Sequence, residues 1–204
     1  YDPGTEGEEQ RRSKAFQRHK DMLINRLKPA LEAARSRGFH IVYLTNYLSH
    51  RAVGRGEFGK EAIRSVGVDV VEKWKEPSDI LAFSKIIAPL PDDHLIKKQM
   101  FSGFFDTHLD TLLRNLGIKN LVAVGGATDI CLGTTLTDAF YRDYVVVMLR
   151  DCVSTGEFPD TEEGQLMNTY GIRLLEHTAV YSSTSAEFIQ ACISQIPQAR
   201  EGGP

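Results

Sequence analysis

Short apolar runs alternate with amphipathic stripes along most of this chain, and that alternation decides what it can fold into. Leu23, Leu27, Ala30, Leu31 and Ala34 repeat at helical spacing and predict a helix from about Asp21 to Arg37, ended by Gly38. Pro29 lies inside it and should kink or distort it, because proline lacks the N–H and crowds the preceding turn. Residues 40–45 (HIVYLT) then read as a buried strand. Residues 49–76 mix glycine with charge and read as a surface excursion with a short helix and a strand near Val68–Val71. Regularity returns with a helix at 79–87, broken by Pro89 and Pro91. Strands follow at 94–97, 121–124, 145–149 and 179–181, and helices at 109–116, 132–141, 162–175 and 185–196. Uniformly apolar strands that alternate with helices define an α/β three-layer domain whose mostly parallel sheet is covered on both faces. In such a fold the chemistry sits beyond the carboxyl ends of the strands, so the loops after residues 45, 97, 124 and 149 are where site residues belong.

A length of 204 residues suits one domain spanning the whole chain, with residues 1–12 and 198–204 expected to be flexible. A net charge of −3 argues against a nucleic-acid or membrane-surface binder, whose footprint would be basic. Three cysteines, Cys131, Cys152 and Cys192, with no CxxC spacing, point to a reducing compartment. No stretch approaches the roughly 18 consecutive apolar residues that a membrane helix needs. The opening Tyr1-Asp2-Pro3-Gly4 lacks the basic-then-apolar pattern of a leader. A cytoplasmic protein is expected.

The stretch from Val122 to Phe140 carries the chemistry. A strand runs into Gly125, Gly126, Ala127 and Thr128, and Cys131 falls at the first turn of the next helix. Helix N-termini present unpaired N–H groups and partial positive charge, which stabilise a thiolate and equally an oxyanion formed when a carbonyl is attacked. Position alone also allows the bland reading that Cys131 is a small core residue. Cys152 has no place at a helix start, and Cys192 shares an apolar face with Phe188, Ile189 and Ile196. A nucleophilic thiol needs a base or cation nearby. Lys97 and Lys98 end the preceding strand, consecutive strands are usually neighbours, and either lysine could reach the Cys131 loop.

The run from Lys98 to Leu113 (KQMFSGFFDTHLDTLL), followed by Gly117-Ile118-Lys119-Asn120-Leu121 and the segment 126–131 (GATDIC), resembles the isochorismatase-like cysteine hydrolase superfamily. Thr135, Asp138 and Ala139 after the cysteine, and a strand that ends at Asp151, extend the match to about residues 20–195. The resemblance selects Lys98 over Lys97 and makes Cys131 the nucleophile. It implies an isochorismatase-like, Rossmann-like sheet and a thioester route for C–N hydrolysis. In that route an aspartate takes the thiol proton, Lys98 holds the negative charge, and the backbone N–H groups of Ala127 and Cys131 stabilise the oxyanion. It further implies a cis peptide between Gly126 and Ala127, no cofactor, and a homodimer or homotetramer.

The family's catalytic aspartate ends a first, central strand for which this sequence has no counterpart. Asp2 matches a place just downstream of it, so no residue is assigned as the base. A sheet short of that strand should expose two strand edges. Asp129 reads as a helix cap and Asp151 as structural. No metal is predicted, because the stretch from Leu44 to His50 has neither Asp nor His at the first two places where metal-binding members carry ligands, His50 is isolated, and the other histidines show no ligand spacing. Within the superfamily the chain looks most like ureidoacrylate amidohydrolases. Asn46, Phe101 and Phe104 are expected on the substrate side, with Trp74 and Phe105 as further aromatic candidates. Two functional readings follow: a metal-independent amidohydrolase for a small amide, ureide or carbamoyl compound, or a catalytically silent binding or scaffold protein.

Overall fold

The structure, a computed structural model, describes residues 14–46, 83–157, 161 and 163–194. Both predicted flexible ends, the excursion at 49–76, His50, Trp74 and Asp2 therefore lie outside the described residues.

The first helix starts earlier than its apolar stripe suggested. Helix α1 (Lys14–Met22) passes through a π-helical turn, Leu23–Leu27, into α2 (Lys28–Ser36). The wider turn lies just ahead of Pro29, and the Lys28 N–H reaches back to the Leu23 carbonyl. This is the local distortion expected of a helical proline, absorbed as a bulge instead of a break. Strand β1 (Val42–Asn46) pairs in parallel with β2 (His94–Lys98), Asn46 opposite Lys98. Between them, of the helix predicted at 79–87, the described part is one 3-10 turn, Lys85–Ile87, whose Ile86 N–H is accepted by the Ser84 hydroxyl. Helix α3 (Leu109–Asn115) leads to β3 (Asn120–Gly126), α4 (Cys131–Phe140), β4 (Val145–Ser154), α5 (Leu166–Thr178), β5 (Tyr181–Ser183) and α6 (Ser185–Ser194).

Three layers result. On one face of the strands, Leu109 and Leu113 of α3, Leu132, Leu136 and Ala139 of α4, and Leu175 of α5 close over Ile96, Val146 and Met148. On the other face, Met22, Leu23, Leu27 and Ala30 pack on Leu149 and Cys152, with Phe188 and Ile189 of α6 beside them. Ile96, Val146, Met148 and Leu149 are all at most 1% exposed. Each such side chain contributes about 1.5–3 kcal/mol by leaving water.

The parallel strands form two sheets, β1-β2 and β3-β4-β5. Among the described residues only β4 is paired on both sides, and β1, β2, β3 and β5 each pair on one. The consecutive strands β2 and β3 are therefore not neighbours, contrary to the rule applied to the sequence. Nor is β3 covered on both faces. Its residues alternate between exposed and half-buried, with Val122 and Val124 each 38% exposed. Strand β4 runs five residues past the end of its apolar run and three past Asp151, which places Cys152 inside the strand and fully buried.

Candidate active site

Cys131 is the first residue of α4 and is half-buried, at the turn that follows β3. Lys98, the last residue of β2, is 4% exposed, and its Nζ donates to Cys131 Sγ at 3.4 Å. The same ammonium donates to Asn46 Oδ1 at 2.6 Å and to the Met100 carbonyl at 3.0 Å. An ammonium in the interior is costly unless acceptors surround it, and an ammonium can only donate. The sulfur beside it is consequently placed as an acceptor. Parallel pairing accounts for the Asn46 contact, because the 46↔98 register ends both strands at the same level.

The turn between β3 and α4 is shaped by close backbone approach. A Cβ on Gly126 would lie 2.5 Å from the Ser154 carbonyl oxygen, so only glycine fits there. The Gly126–Ala127 peptide is cis, as the resemblance implied. The Thr128 N–H donates to the Ser154 carbonyl at 3.0 Å. The Ala127 carbonyl accepts from Ile130 N–H at 3.1 Å and Leu132 N–H at 2.9 Å. Neither the Ala127 nor the Cys131 N–H donates a turn or cap bond to a backbone carbonyl among the described residues. These are the two donors expected to face an oxyanion.

The loop after β2 is tied directly to the helix that carries Cys131. The Thr135 hydroxyl donates to the Cys131 carbonyl at 2.6 Å and accepts the Gly103 N–H at 2.9 Å. The Ser102 hydroxyl donates to Asp138, and accepts the Phe104 N–H at 3.1 Å. Phe101 is half-buried. Phe104, expected on the substrate side, is 6% exposed, stacks on Tyr144 with ring centres 5.7 Å apart, and lies under Arg142. Phe105 is 57% exposed.

The remaining candidates fall away from the thiol–ammonium pair. Asp129 does not cap α4. Its carboxylate accepts from the Thr155 hydroxyl, and the residue before α4 is Ile130 without a side-chain cap. Asp151 holds the start of α6 by accepting from both the N–H and the hydroxyl of Ser185, each at 2.7 Å. Burial, together with the neighbouring Asp151 charge, pushes the Cys152 thiol up to about 12, which makes it an inert core group. Cys192 is also buried. Among the described residues no cluster of three His, Cys, Asp or Glu could hold a metal ion, and no helix is long and apolar enough to cross a membrane. Sequence reasoning missed Thr128, Asn168 and Glu157, which brace the turn from behind.

Fold and site together define an α/β protein with a thiol held against a buried ammonium at the carboxyl ends of its strands. The chain belongs to the isochorismatase family, whose domain matches residues 13–179. It is 36% identical over 137 residues to ureidoacrylate amidohydrolase RutB of Agrobacterium fabrum, covering 63% of this chain and 60% of that protein. It is 31% identical over 155 residues to a RutB of Methylorubrum extorquens, covering 72% and 62% respectively. The chain thus spans about three-fifths of the length of these relatives. A cysteine hydrolase from Pseudomonas syringae shares the fold, with a TM-score of 0.73 at 23% identity over 90% of this chain and 86% of that one. N-carbamoylsarcosine amidase from Thermoplasma acidophilum superposes with a TM-score of 0.61 at 26% identity, covering 82% and 84%.

Proposed function

We propose that this chain carries the thiol centre of an amidohydrolase that cleaves a C–N bond of a small amide, ureide or carbamoyl compound, with ureidoacrylate-type ureides the first substrates to test. The observation that carries the reading is Lys98 Nζ at 3.4 Å from Cys131 Sγ, at the start of a helix. The names of its relatives support the substrate class, since both RutB and N-carbamoylsarcosine amidase act on such nitrogen compounds.

In this reading Cys131 sulfur attacks the carbonyl carbon, and negative charge moves to the carbonyl oxygen. The N–H groups of Ala127 and Cys131 receive that charge, the kind of stabilisation worth about 10²–10³ in rate per donor. The C–N bond breaks, and the nitrogen leaves as ammonia or an amine carrying the thiol's proton, which passes through a base, the aspartate role to which no residue here is assigned. Water then hydrolyses the thioester and regenerates the thiol. Lys98 holds the sulfur charge at the beginning and end of the cycle. Asn46 fixes Lys98 and borders the substrate together with Phe101, while Phe104 shapes that border from the core. The nucleophile is a thiol, so the route calls for neither a metal-activated water nor a cofactor. The reading includes a cytoplasmic homodimer or homotetramer. The exposed apolar stripe of Leu166, Tyr170 and Leu174 along α5 supports a subunit contact.

Ammonia release from a panel of small ureides, amides and carbamoyl compounds, with the chain and its Cys131→Ala variant, tests the proposal. Turnover that disappears in a folded Cys131→Ala variant is expected. Equal turnover in both overturns the thiol route. No turnover, with Cys131 alkylated no faster than Cys192, favours the silent scaffold instead.

A further inference from the structure

The turn that carries the Ala127 N–H is also held from the side of α5. Thr128 is completely buried, and its hydroxyl donates to Asn168 Oδ1 at 2.7 Å. Asn168 lies in the first turn of α5, where helix N–H groups lack intrahelical acceptors. Glu157 supplies them. Its carboxylate accepts the Asn168 N–H at 2.8 Å, the Met167 N–H at 3.0 Å and the Thr161 hydroxyl at 2.7 Å. The carboxylate therefore sets the level at which α5 begins, and with it the position of the Asn168 amide.

Packing leaves the turn little room to move. A Cβ on Gly171, one helical turn along α5, would lie 3.1 Å from Thr128 Cγ2 and 3.3 Å from the Asp129 nitrogen. On the opposite side, a Cβ on Gly133 of α4 would lie 2.7 Å from the Thr128 carbonyl oxygen. Thr128 is thus gripped between α4 and α5, one residue after Ala127 and three before Cys131. Its N–H is held by the Ser154 carbonyl of β4, and the lateral bond to Asn168 is the side-chain polar contact that ties it to α5.

We propose that Asn168, set in place by Glu157, is a positioning residue that acts through Thr128 to hold the Ala127 and Cys131 N–H groups at one fixed spacing for an oxyanion. Its catalytic meaning rests on the amidohydrolase reading; the clamp itself does not. Donors act fully only when held within about 0.5 Å of the productive position, so a loosened turn weakens oxyanion stabilisation while the thiolate stays as it was.

The test compares the wild-type chain with Asn168→Ala, Thr128→Val, the double variant, and Glu176→Ala. The last removes the carboxylate that bonds Ser182 and Arg173 at the far end of α5, and serves as a purely structural control. For a ureide that the wild type hydrolyses, each single clamp variant is expected to lower kcat about 10- to 100-fold with KM within about threefold. The double variant is expected to be no worse than the poorer single, since both changes cut one bond. Alkylation of Cys131 by iodoacetamide, which needs the thiolate but develops no oxyanion, should stay within about twofold. Glu176→Ala should melt earlier with kcat unchanged. A kcat within about twofold of wild type in Asn168→Ala overturns the inference, and so does an alkylation rate that falls in step with kcat. If the wild type hydrolyses nothing, the amidohydrolase reading fails separately, and the clamp is then judged by amide hydrogen exchange. Exchange in residues 126–132 at least about tenfold faster in Asn168→Ala supports it, and unchanged exchange overturns it.

Discussion

Replacing Thr135 by valine removes one hydroxyl at almost constant shape, and the structure allows its cost to be worked through. Thr135 is 7% exposed, and its oxygen both donates to the Cys131 carbonyl and accepts the Gly103 N–H. The helix propensities of threonine and valine are nearly equal, so the backbone contribution cancels. The Cys131 carbonyl loses its side-chain donor, yet it lies at the first position of α4, where the helix ladder still engages it. Gly103 fares worse: it is buried, and its N–H is left without an acceptor. An orphaned buried donor costs about 1–3 kcal/mol. The new methyl group recovers up to about 0.8 kcal/mol. From the middle of that range the net loss is about 1 kcal/mol, which corresponds to roughly 2–4 °C in Tm for a domain of this size. Thermal and urea unfolding of Thr135→Val, with amide exchange at Gly103, measure it. Exchange at Gly103 should accelerate beyond what the global loss explains, and KM should rise because Gly103 sits between Phe101 and Phe104. Unfolding within about 0.3 kcal/mol of wild type, with Gly103 still protected, would refute the reasoning.

Lys98→Met keeps the length of the side chain and removes its charge. Iodoacetamide should then alkylate Cys131 at least about tenfold more slowly at neutral pH, and Lys98→Arg should not restore the rate because a planar guanidinium cannot reproduce a point ammonium. Equal rates in wild type and Lys98→Met would remove the lysine from the thiol's chemistry. Cys152, pushed up to about 12 by burial, should stay unlabelled in the folded chain at pH 8, as read by mass spectrometry after brief alkylation. Its raised value means that the fold prefers the neutral thiol, so this contribution is fully present below the unfolded value near 9 and is lost as pH climbs towards 12. Glu157 has the opposite sign. Burial raises its carboxyl, but hydrogen bonds from the Asn168 N–H, the Thr161 hydroxyl and the Met167 N–H outweigh that and hold it below the ordinary 4.5. Its stabilisation is present above that ordinary value and disappears as pH falls through it and below. Urea midpoints between pH 3 and 6 should therefore fall less steeply in Glu157→Gln, and parallel curves would count against the cap.

Much of this arrangement was legible because its signals are local. Helical spacing in 109–116 and the glycine at Gly117, with φ of +68°, mark the end of α3 from sequence alone. Pro29 announced the distortion that became the π-helical turn. Cys131 could be placed at a helix start because glycines, a polar turn and an amphipathic stripe follow one another there. The length of β4 was not legible, since Arg150 and Asp151 look like a strand's polar end. Only the Ser185 contact shows why Asp151 is tolerated inside the strand. Asn168 carries no sequence signal at all, being one polar residue in the first turn of an amphipathic helix.

By itself the sequence determined the order of strands and helices, the layered α/β class and the place of the thiol, because each depends on spacing within about ten residues. Strand position left Lys97 and Lys98 both open, the resemblance chose Lys98, and the tertiary structure supplies the physical reason. Lys97 and Lys98 differ by one position, and in a strand one position is the difference between the two faces. Lys98 turns inward at 4% exposure, while Lys97 faces out. It also decided that the described strands pair as β1-β2 and β3-β4-β5, and that Thr128 is gripped between α4 and α5. Those outcomes depend on which backbones approach within a few ångströms, and that is settled by long-range packing, on which local periodicity carries no information.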